Sequence, residues 1–322
     1  MPQLTKRILV TGGSGFLGRA LCVRFASEGH LVRASVREHS AGVATGVESV
    51  RGELVPTYDW HLSLPGIDAV VHTAARVHVM RDESENPLEE FRAANVAATL
   101  NLARQATAAG VRRFIFISSV GVNGAQTQEA AFSELDPANP RTPYAISKYE
   151  AEQGLREIAR QTGLEVVIVR PPLVYGPNAP GNFGALVRAV ASGWPLPLGA
   201  VRNRRSLVGV DNLVDFVNTC LHHPLAANEA FLVADDEDLS TPVLVSRLAH
   251  LMRRPARLVP APLWLLRMGG AVLGRGDAVQ GLCGSLCVDS GKARRLLGWR
   301  PPLTLDEGLR RAVQEYAREA SV

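Results

Sequence analysis

Tyr144-Ala145-Ile146-Ser147-Lys148 sets a phenol and an ammonium four residues apart, the spacing that places both on one face of a helix. An ammonium beside a phenol favours the phenolate and lowers a pKa that otherwise lies near about 10. Tyr144 is then a usable acid/base at neutral pH. Ser119 stands upstream at the end of an apolar run, where its hydroxyl can hydrogen-bond the same reacting oxygen. Ser119, Tyr144 and Lys148 are the catalytic candidates, with Ser119 and Tyr144 also expected to touch the substrate.

A second constellation lies near the start of the chain, in Val10-Thr11-Gly12-Gly13-Ser14-Gly15-Phe16-Leu17-Gly18. Gly12 permits a tight turn, Gly15 lets the backbone approach a pyrophosphate, and Gly18 lets a helix pack close to the preceding strand. The helix then offers its N-terminus to the anion. A nucleotide cofactor is the natural ligand, and Gly12, Gly15, Phe16, Leu17 and Gly18 are its candidate contacts.

The elements needed to hold these residues are legible in order. Ile8-Leu9-Val10 reads as a strand, Arg19 to Ser27 as a helix, and Leu31 to Val36 as a second strand after the Gly29-His30 turn. An acidic residue at the end of that second strand would accept the hydrogen bonds of an adenosine ribose. Val36 and Arg37 stand there instead, which tilts the choice toward NADP(H); a solvated loop or a stack on adenine are the other readings of Arg37. Ser49 to Val55 reads as a third strand, with Glu53 and Leu54 at the adenine end. Asp68 to His72 reads as a fourth, followed by Thr73-Ala74-Ala75, small residues among which Ala74 leaves room for a cofactor across the sheet. Leu88 to Ala109 has an alanine-rich helical pattern containing Asn95, Phe114 to Ile117 is the next strand, and Tyr144 opens a helix to about Thr162. Strands alternating with helices imply an α/β fold with a parallel, doubly wound sheet.

At 322 residues the chain can bury a large core, and its formal net charge of +4 is small for that size. Lys and Arg are dispersed, which argues against nucleic acid and suits an anionic small molecule. No apolar run is long enough to span a bilayer and no apolar leader precedes the first strand, so a cytoplasmic protein without membrane insertion is expected. Cys22, Cys220, Cys283 and Cys287 show no paired spacing, so neither a disulfide framework nor a metal site is indicated. Pro262 to Met268 is apolar enough to suggest membrane contact, but a packed helix is the expectation, and Lys292 to Arg295 reads as a solvated helix face.

The sequence resembles the extended short-chain dehydrogenase/reductase family, particularly its UDP-glucose 4-epimerase-like nucleotide-sugar branch. The matching residues are the Thr11 to Gly18 turn, Asn95, Ser119, the Tyr144 and Lys148 pair, and Arg170-Pro171-Pro172-Leu173-Val174-Tyr175-Gly176-Pro177. The resemblance implies a Rossmann domain over residues 1–175 and a smaller, interleaved substrate-binding region over 176–322. It implies that Tyr144 is the acid/base, that Lys148 holds the nicotinamide ribose, and that Asn95 supports the cofactor site. It further implies that Asn182, in Asn182-Phe183, and Arg205 contact a sugar nucleotide, and that the helices at 88–109 and 144–162 form a homodimer interface.

Departures from the family pattern bear on function. The usual Arg-x-Gly-Asp is not evident where Val279-Gln280-Gly281-Leu282 stands, and the position that gates an N-acetyl group aligns with Leu286. Val120-Gly121 follows Ser119 where dehydratases carry an acidic pair, which disfavours a dehydratase. Arg76 and His78 have two readings, facing the sugar or a structural role, with the structural one carrying at least equal weight. The resulting expectation is an NAD(P)-dependent C4 oxidoreductase, a 4-epimerase of a UDP-hexose or UDP-N-acetylhexosamine. The alternatives are an NADPH-dependent reductase of a UDP-4-keto-6-deoxy-N-acetylhexosamine and, remotely, a non-catalytic cofactor-sensing module.

Overall fold

Six of seven short strands carry apolar residues at both odd and even positions, which only a sheet covered on both faces can bury. The computed structural model describes residues 5–37, 43–77, 86–272, 274, 276–314 and 316. Strands β1 (Arg7–Thr11), β2 (Leu31–Val36), β3 (Glu48–Arg51), β4 (Ala69–His72), β5 (Arg113–Ile117), β6 (Glu165–Arg170) and, from late in the chain, β9 (Ala230–Leu232) pair in the order β3-β2-β1-β4-β5-β6-β9. Every pair is parallel. Strands β7 (Leu173–Tyr175) and β8 (Leu207–Gly209) form a separate parallel pair.

Alternation along the strands divides the core. Ile8, Val10, Ile115, Ile117, Val167 and Val169 face one side, where helices α1 (Phe16–Ser27) and α6 (Val210–His222) cover them. Leu9, Phe114, Phe116, Val166 and Ile168 face the other, against α3 (Ala98–Ala108) and α4 (Pro143–Thr162). A further core gathers Tyr175 and Phe183 with α5 (Gly181–Ala191), α7 (Thr241–Leu251) and α11 (Leu305–Ala312). Helix α10 (Gly291–Leu297) ends at Gly298, which takes the left-handed φ of 65° that a side chain would disfavour.

Three departures from the sequence reading have physical causes. The third strand stops at Arg51: the Gly52 amide still donates to the Val36 carbonyl at 3.0 Å, but Gly52 is hemmed in by Ser35 Oγ and the Trp60 ring, where a side chain would collide. The helix expected over 88–109 is α2 (Pro87–Arg92), a π turn (Ala93–Ala97) and α3, because Asn95 is drawn into tertiary hydrogen bonds. Helix α8 (Leu263–Val272), expected to be packed, buries only Gly270 fully, while Leu263 and Leu266 lean on the core of the C-terminal region. Helix α9 (Gly276–Cys283) follows it. Among the described residues all four cysteines are free, none of the His, Cys, Asp and Glu side chains form a metal-binding group, and no helix is long and apolar enough to cross a membrane. On α10, Lys292 and Arg294 pair with Glu229 and Asp236.

Candidate active site

The glycine turn joins β1 to α1. Gly12 adopts φ 69°, and a methyl on it would press on the main chain of Ala74 at 3.0 Å. One on Gly18 would collide with the Gly12 carbonyl, so helix and turn meet at a distance that only glycine allows. Gly15 is the N-cap of α1 and makes no side-chain cap bond, so the first amides of the helix are left for an external acceptor. This cradle fits the diphosphate of a dinucleotide. Phe16 and Leu17, the first residues of α1, pack partly against the core.

Beside the turn, the end of β4 is held by a neutral histidine. His72 is fully buried between Thr11 Oγ1, 2.7 Å from its Nδ1, and Thr99 Oγ1, 2.9 Å from its Nε2. Burial, with the Lys148 charge nearby, pushes its pKa down to about 3. Thr11 Oγ1 also accepts from the Ala74 amide at 3.3 Å, and Thr73 Oγ1 donates to the Thr11 carbonyl at 2.6 Å. The small residues after β4 are thereby tied to the glycine turn.

Asn95, in the π turn, accepts from the Arg76 amide at 2.8 Å and donates to the Arg76 carbonyl and to Ser147 Oγ, each at 3.0 Å. It joins the chain after β4 to the first turns of α4. The extra residue of a π turn re-aims a side chain inside a helix, which is why such turns recur at functional sites. Arg76 lies with its guanidinium 5.6 Å from the Phe91 ring centre. His78 lies outside the described residues.

Thr142 caps α4 by accepting from the Ala145 amide at 3.2 Å, and Pro143 opens the helix. That start places Tyr144 in the first turn and Lys148 one turn on. Lys148 is buried, donating from Nζ to the Ile117 carbonyl at 2.8 Å and standing 4.5 Å from the Phe116 ring centre and 5.9 Å from that of Tyr144. Burial pushes its pKa down to about 7 against the pull of Glu152, and burial pushes Tyr144 up to about 12. The lowering of the Tyr144 pKa expected from its neighbour is therefore reversed, because desolvation of the phenol outweighs a lysine engaged by a carbonyl. Ser119 caps the short helical turn Val120–Val122, its Oγ accepting from the Gly121 amide at 3.1 Å. A methyl on Gly121 would stand 3.3 Å from Ala145 Cβ and 3.4 Å from Ser119 Oγ, so the serine loop abuts the helix turn that carries Tyr144.

A second cleft lies in the C-terminal region, lined by Asn182, Phe183, Arg205, Leu239, Thr241 and Leu282. Arg205 donates from Nη1 to the Gly284 carbonyl at 3.0 Å while its buried Nε has no partner, and desolvation lowers its pKa. Asn182 faces Gly281, where a methyl would come within 3.0 Å of its Nδ2. Leu286 packs with Val120 and Leu232, beside the serine loop.

Ser119, Tyr144, Lys148, Asn95, Ala74 and the glycine turn are thus gathered at one end of the sheet, and Asn182 and Arg205 share a separate cleft. Arg37 is exposed just past β2, and Glu53 pairs with Arg51 at 2.5 Å, with Leu54 half-buried beside it. Sequence reasoning did not single out Glu152, which accepts from Ser118 Oγ at 2.6 Å and from Arg170. A buried acid one turn after Lys148 on an otherwise apolar face was the available signal. His72 was read only as a strand end.

Across 98% of this chain and 96% of its own, a UDP-glucose 4-epimerase of Vibrio cholerae is 41% identical. The structure of Thermotoga maritima UDP-glucose 4-epimerase with UDP-glucose superposes with a TM-score of 0.79 at 24% identity, over 98% of this chain and 100% of that one. That of MoeE5 with UDP-glucose and NAD does so with a TM-score of 0.79 at 25% identity, over 98% and 100%. Residues 8–234, which run from the glycine turn through Lys148 to β9, match the NAD dependent epimerase/dehydratase family, and this chain belongs to that family of nicotinamide-dependent enzymes.

Proposed function

We propose that the protein is a 4-epimerase of a UDP-hexose or UDP-N-acetylhexosamine. One observation carries the reading: Ser119, Tyr144 and Lys148 converge at the end of β5, and the residues after Ser119 are Val120 and Gly121, with no carboxylate to expel water. The 41% identical UDP-glucose 4-epimerase and the UDP-glucose held by structural relatives support the substrate class. Residues 1–175 carry the cofactor chemistry in this reading, and 176–322 mainly hold the sugar nucleotide.

The open amides of α1, with Gly12, Gly15 and Gly18, would hold the dinucleotide diphosphate. The nicotinamide, when bound, supplies reversible hydride transfer at sugar C4. Tyr144 takes the C4 hydroxyl proton and, once the sugar has turned to present its other face to hydride, returns it to the same oxygen, which Ser119 hydrogen-bonds. Lys148 is placed to hold the nicotinamide ribose and, charged, to favour the phenolate. Arg205 and Asn182 retain the UDP while the sugar turns, a planar guanidinium being suited to a diphosphate.

The test is incubation of purified protein with UDP-glucose or UDP-N-acetylglucosamine without added reductant, followed by chromatography. Interconversion of the C4 epimers is the expected result. Arg37, exposed where an adenosine ribose lies in this fold, favours a second reading as an NADPH-dependent 4-keto reductase. NADPH consumption with a 4-keto sugar nucleotide, and no epimer interconversion, would establish that reading instead.

A further inference from the structure

A helix at the surface of a domain keeps one apolar stripe inward and a polar face outward. Helix α8 does not. Its inner stripe is accounted for by Leu263, Leu266 and Gly270. On its outer side Trp264 is 60% exposed, Leu265 46%, Met268 58% and Val272 85%. A parallel bridge between Leu196 and Leu258 ties the segment before α8 to the chain after α5, where Trp194 is 73% exposed. Single exposed apolar residues are ordinary, but four on one ten-residue helix mark a contact surface.

The surrounding charge is one-sided. Between Thr241 and Gly276 the sequence has Arg247, Arg253, Arg254, Arg257, Arg267 and Arg275 and no aspartate or glutamate; the next acid is Asp277. Residues 181–209, to which this segment is bridged, add the exposed Arg188 and Arg202, whereas Arg204 pairs with Asp238 and Arg205 is turned into the cleft. Arg253, Arg257 and Arg267 are exposed, whereas Arg247 is held by Glu237 and Asp306. The dispersed charge of the chain as a whole conceals this concentration.

We propose that α8 and the Arg253 to Val259 segment before it form a docking surface for an anionic lipid bilayer, on which the protein lies without crossing it. Tryptophan, leucine and methionine enter the boundary between headgroups and acyl chains, and flanking arginines meet the anionic headgroups. Tryptophan is the side chain most at home at that depth. A second copy of the chain would cover the apolar residues but bring the same arginines face to face across a symmetric interface, a repulsion that anionic lipid replaces with attraction. The surface lies close to the substrate cleft, since α9 follows α8 directly, Gly281 faces Asn182, and Gly284 accepts from Arg205.

The test uses the full-length protein floated with vesicles of phosphatidylcholine alone or mixed with phosphatidylglycerol. Flotation is expected with the phosphatidylglycerol vesicles and should weaken as salt is raised. Trp264→Gln with Met268→Gln should reduce vesicle partition by about tenfold or more. Arg253→Gln and Arg257→Gln should each reduce it by about fivefold. All four positions are exposed, so melting temperature and turnover of a free sugar nucleotide should not change. Trp60 and Trp299 are buried, so a vesicle-induced blue shift of emission that Trp264→Phe diminishes reads α8 directly. Absence of flotation, equal flotation with both vesicle types, or flotation indifferent to either pair of substitutions would overturn the proposal. So would a drop in lipid-free molecular mass on Trp264→Gln with Met268→Gln, which would assign the surface to a second copy.

Discussion

Arg170 grips Glu152 with two nitrogens, Nε to Oε1 at 2.9 Å and Nη2 to Oε2 at 2.5 Å, in a pair almost wholly shielded from water. Glu152 stands one turn after Lys148 on α4, and Arg170 ends β6. The third guanidinium nitrogen donates to Asn123 Oδ1 at 3.0 Å, and Ser118 donates to Glu152. The pair therefore locks the helix carrying Tyr144 and Lys148 to the loop carrying Ser119. Glu152→Ala would leave Arg170 charged and buried with only the neutral Asn123 as partner, at a cost of about 3–5 kcal/mol. Urea unfolding should show that loss; a change under about 1 kcal/mol would mean that the pair is relieved by water or by movement of the helix.

Tyr144→Phe keeps the ring, including its edge contact with Phe91, and removes only the hydroxyl. Turnover should fall by roughly two to four orders of magnitude, while dinucleotide affinity changes little. Near-native turnover would show that another group moves the proton.

Protonation of His72 couples the site to acid stability. Its folded pKa, about 3, lies below the ordinary value of 6.5, so between those limits the unfolded chain binds a proton that the folded one does not. Stability from this residue is present above pH 6.5 and declines as pH falls toward 3, at a slope of up to about 1.4 kcal/mol per unit. His72→Gln can keep hydrogen bonds to Thr11 and Thr99 without titrating. The difference in unfolding free energy between wild type and variant should therefore shrink as pH drops from 6.5 to 5, a trend of about 1–2 kcal/mol. A constant difference would show that His72 is charged in the folded protein or exposed to water.

What the sequence made legible was local. The glycine turn, the apolar strands and the Tyr144 to Lys148 spacing announce themselves within a few residues. The π turn at Asn95 did not, since Ala93 to Ala97 reads as ordinary helix and the break follows from bonds to Arg76 and Ser147, distant in sequence. Glu152 looked like one more helix carboxylate until Arg170 was folded against it. The direction of the Tyr144 pKa was not legible because spacing reveals a neighbouring charge but not the burial of the phenol that raises it. Helix α8 packs as expected along Leu263, Leu266 and Gly270, but apolar composition did not reveal that Trp264, Leu265, Met268 and Val272 would be left on its outer side.

A homodimer through α3 and α4 is the expected assembly. Leu100 of α3 lies against Gly154 of α4, where a methyl would come within 2.5 Å, so the two helices approach closely enough to present a joint face. Sedimentation at micromolar concentration should give twice the chain mass. A monomer under those conditions would remove this interface from consideration.

Cofactor retention separates the two functional readings. An epimerase keeps its dinucleotide through both hydride transfers, so the dinucleotide should copurify and turnover should need no reductant, whereas a reductase must release the oxidised form on every cycle. Val36 is buried at the end of β2 and Arg37 is exposed next to it, so among the described residues the strand end offers ribose hydroxyls no carboxylate and offers a 2′-phosphate the Arg37 guanidinium. Such a charge-assisted bond contributes about 1.5–3 kcal/mol, or one to two decades in affinity. If Arg37 makes it, calorimetry should find NADPH bound more tightly than NADH, and Arg37→Ala should erase most of that difference. Equal affinities in the wild-type protein would place the Arg37 side chain in solvent and withdraw the structural argument for the reductase, leaving copurified NAD and reductant-free epimerisation as the outcome to expect.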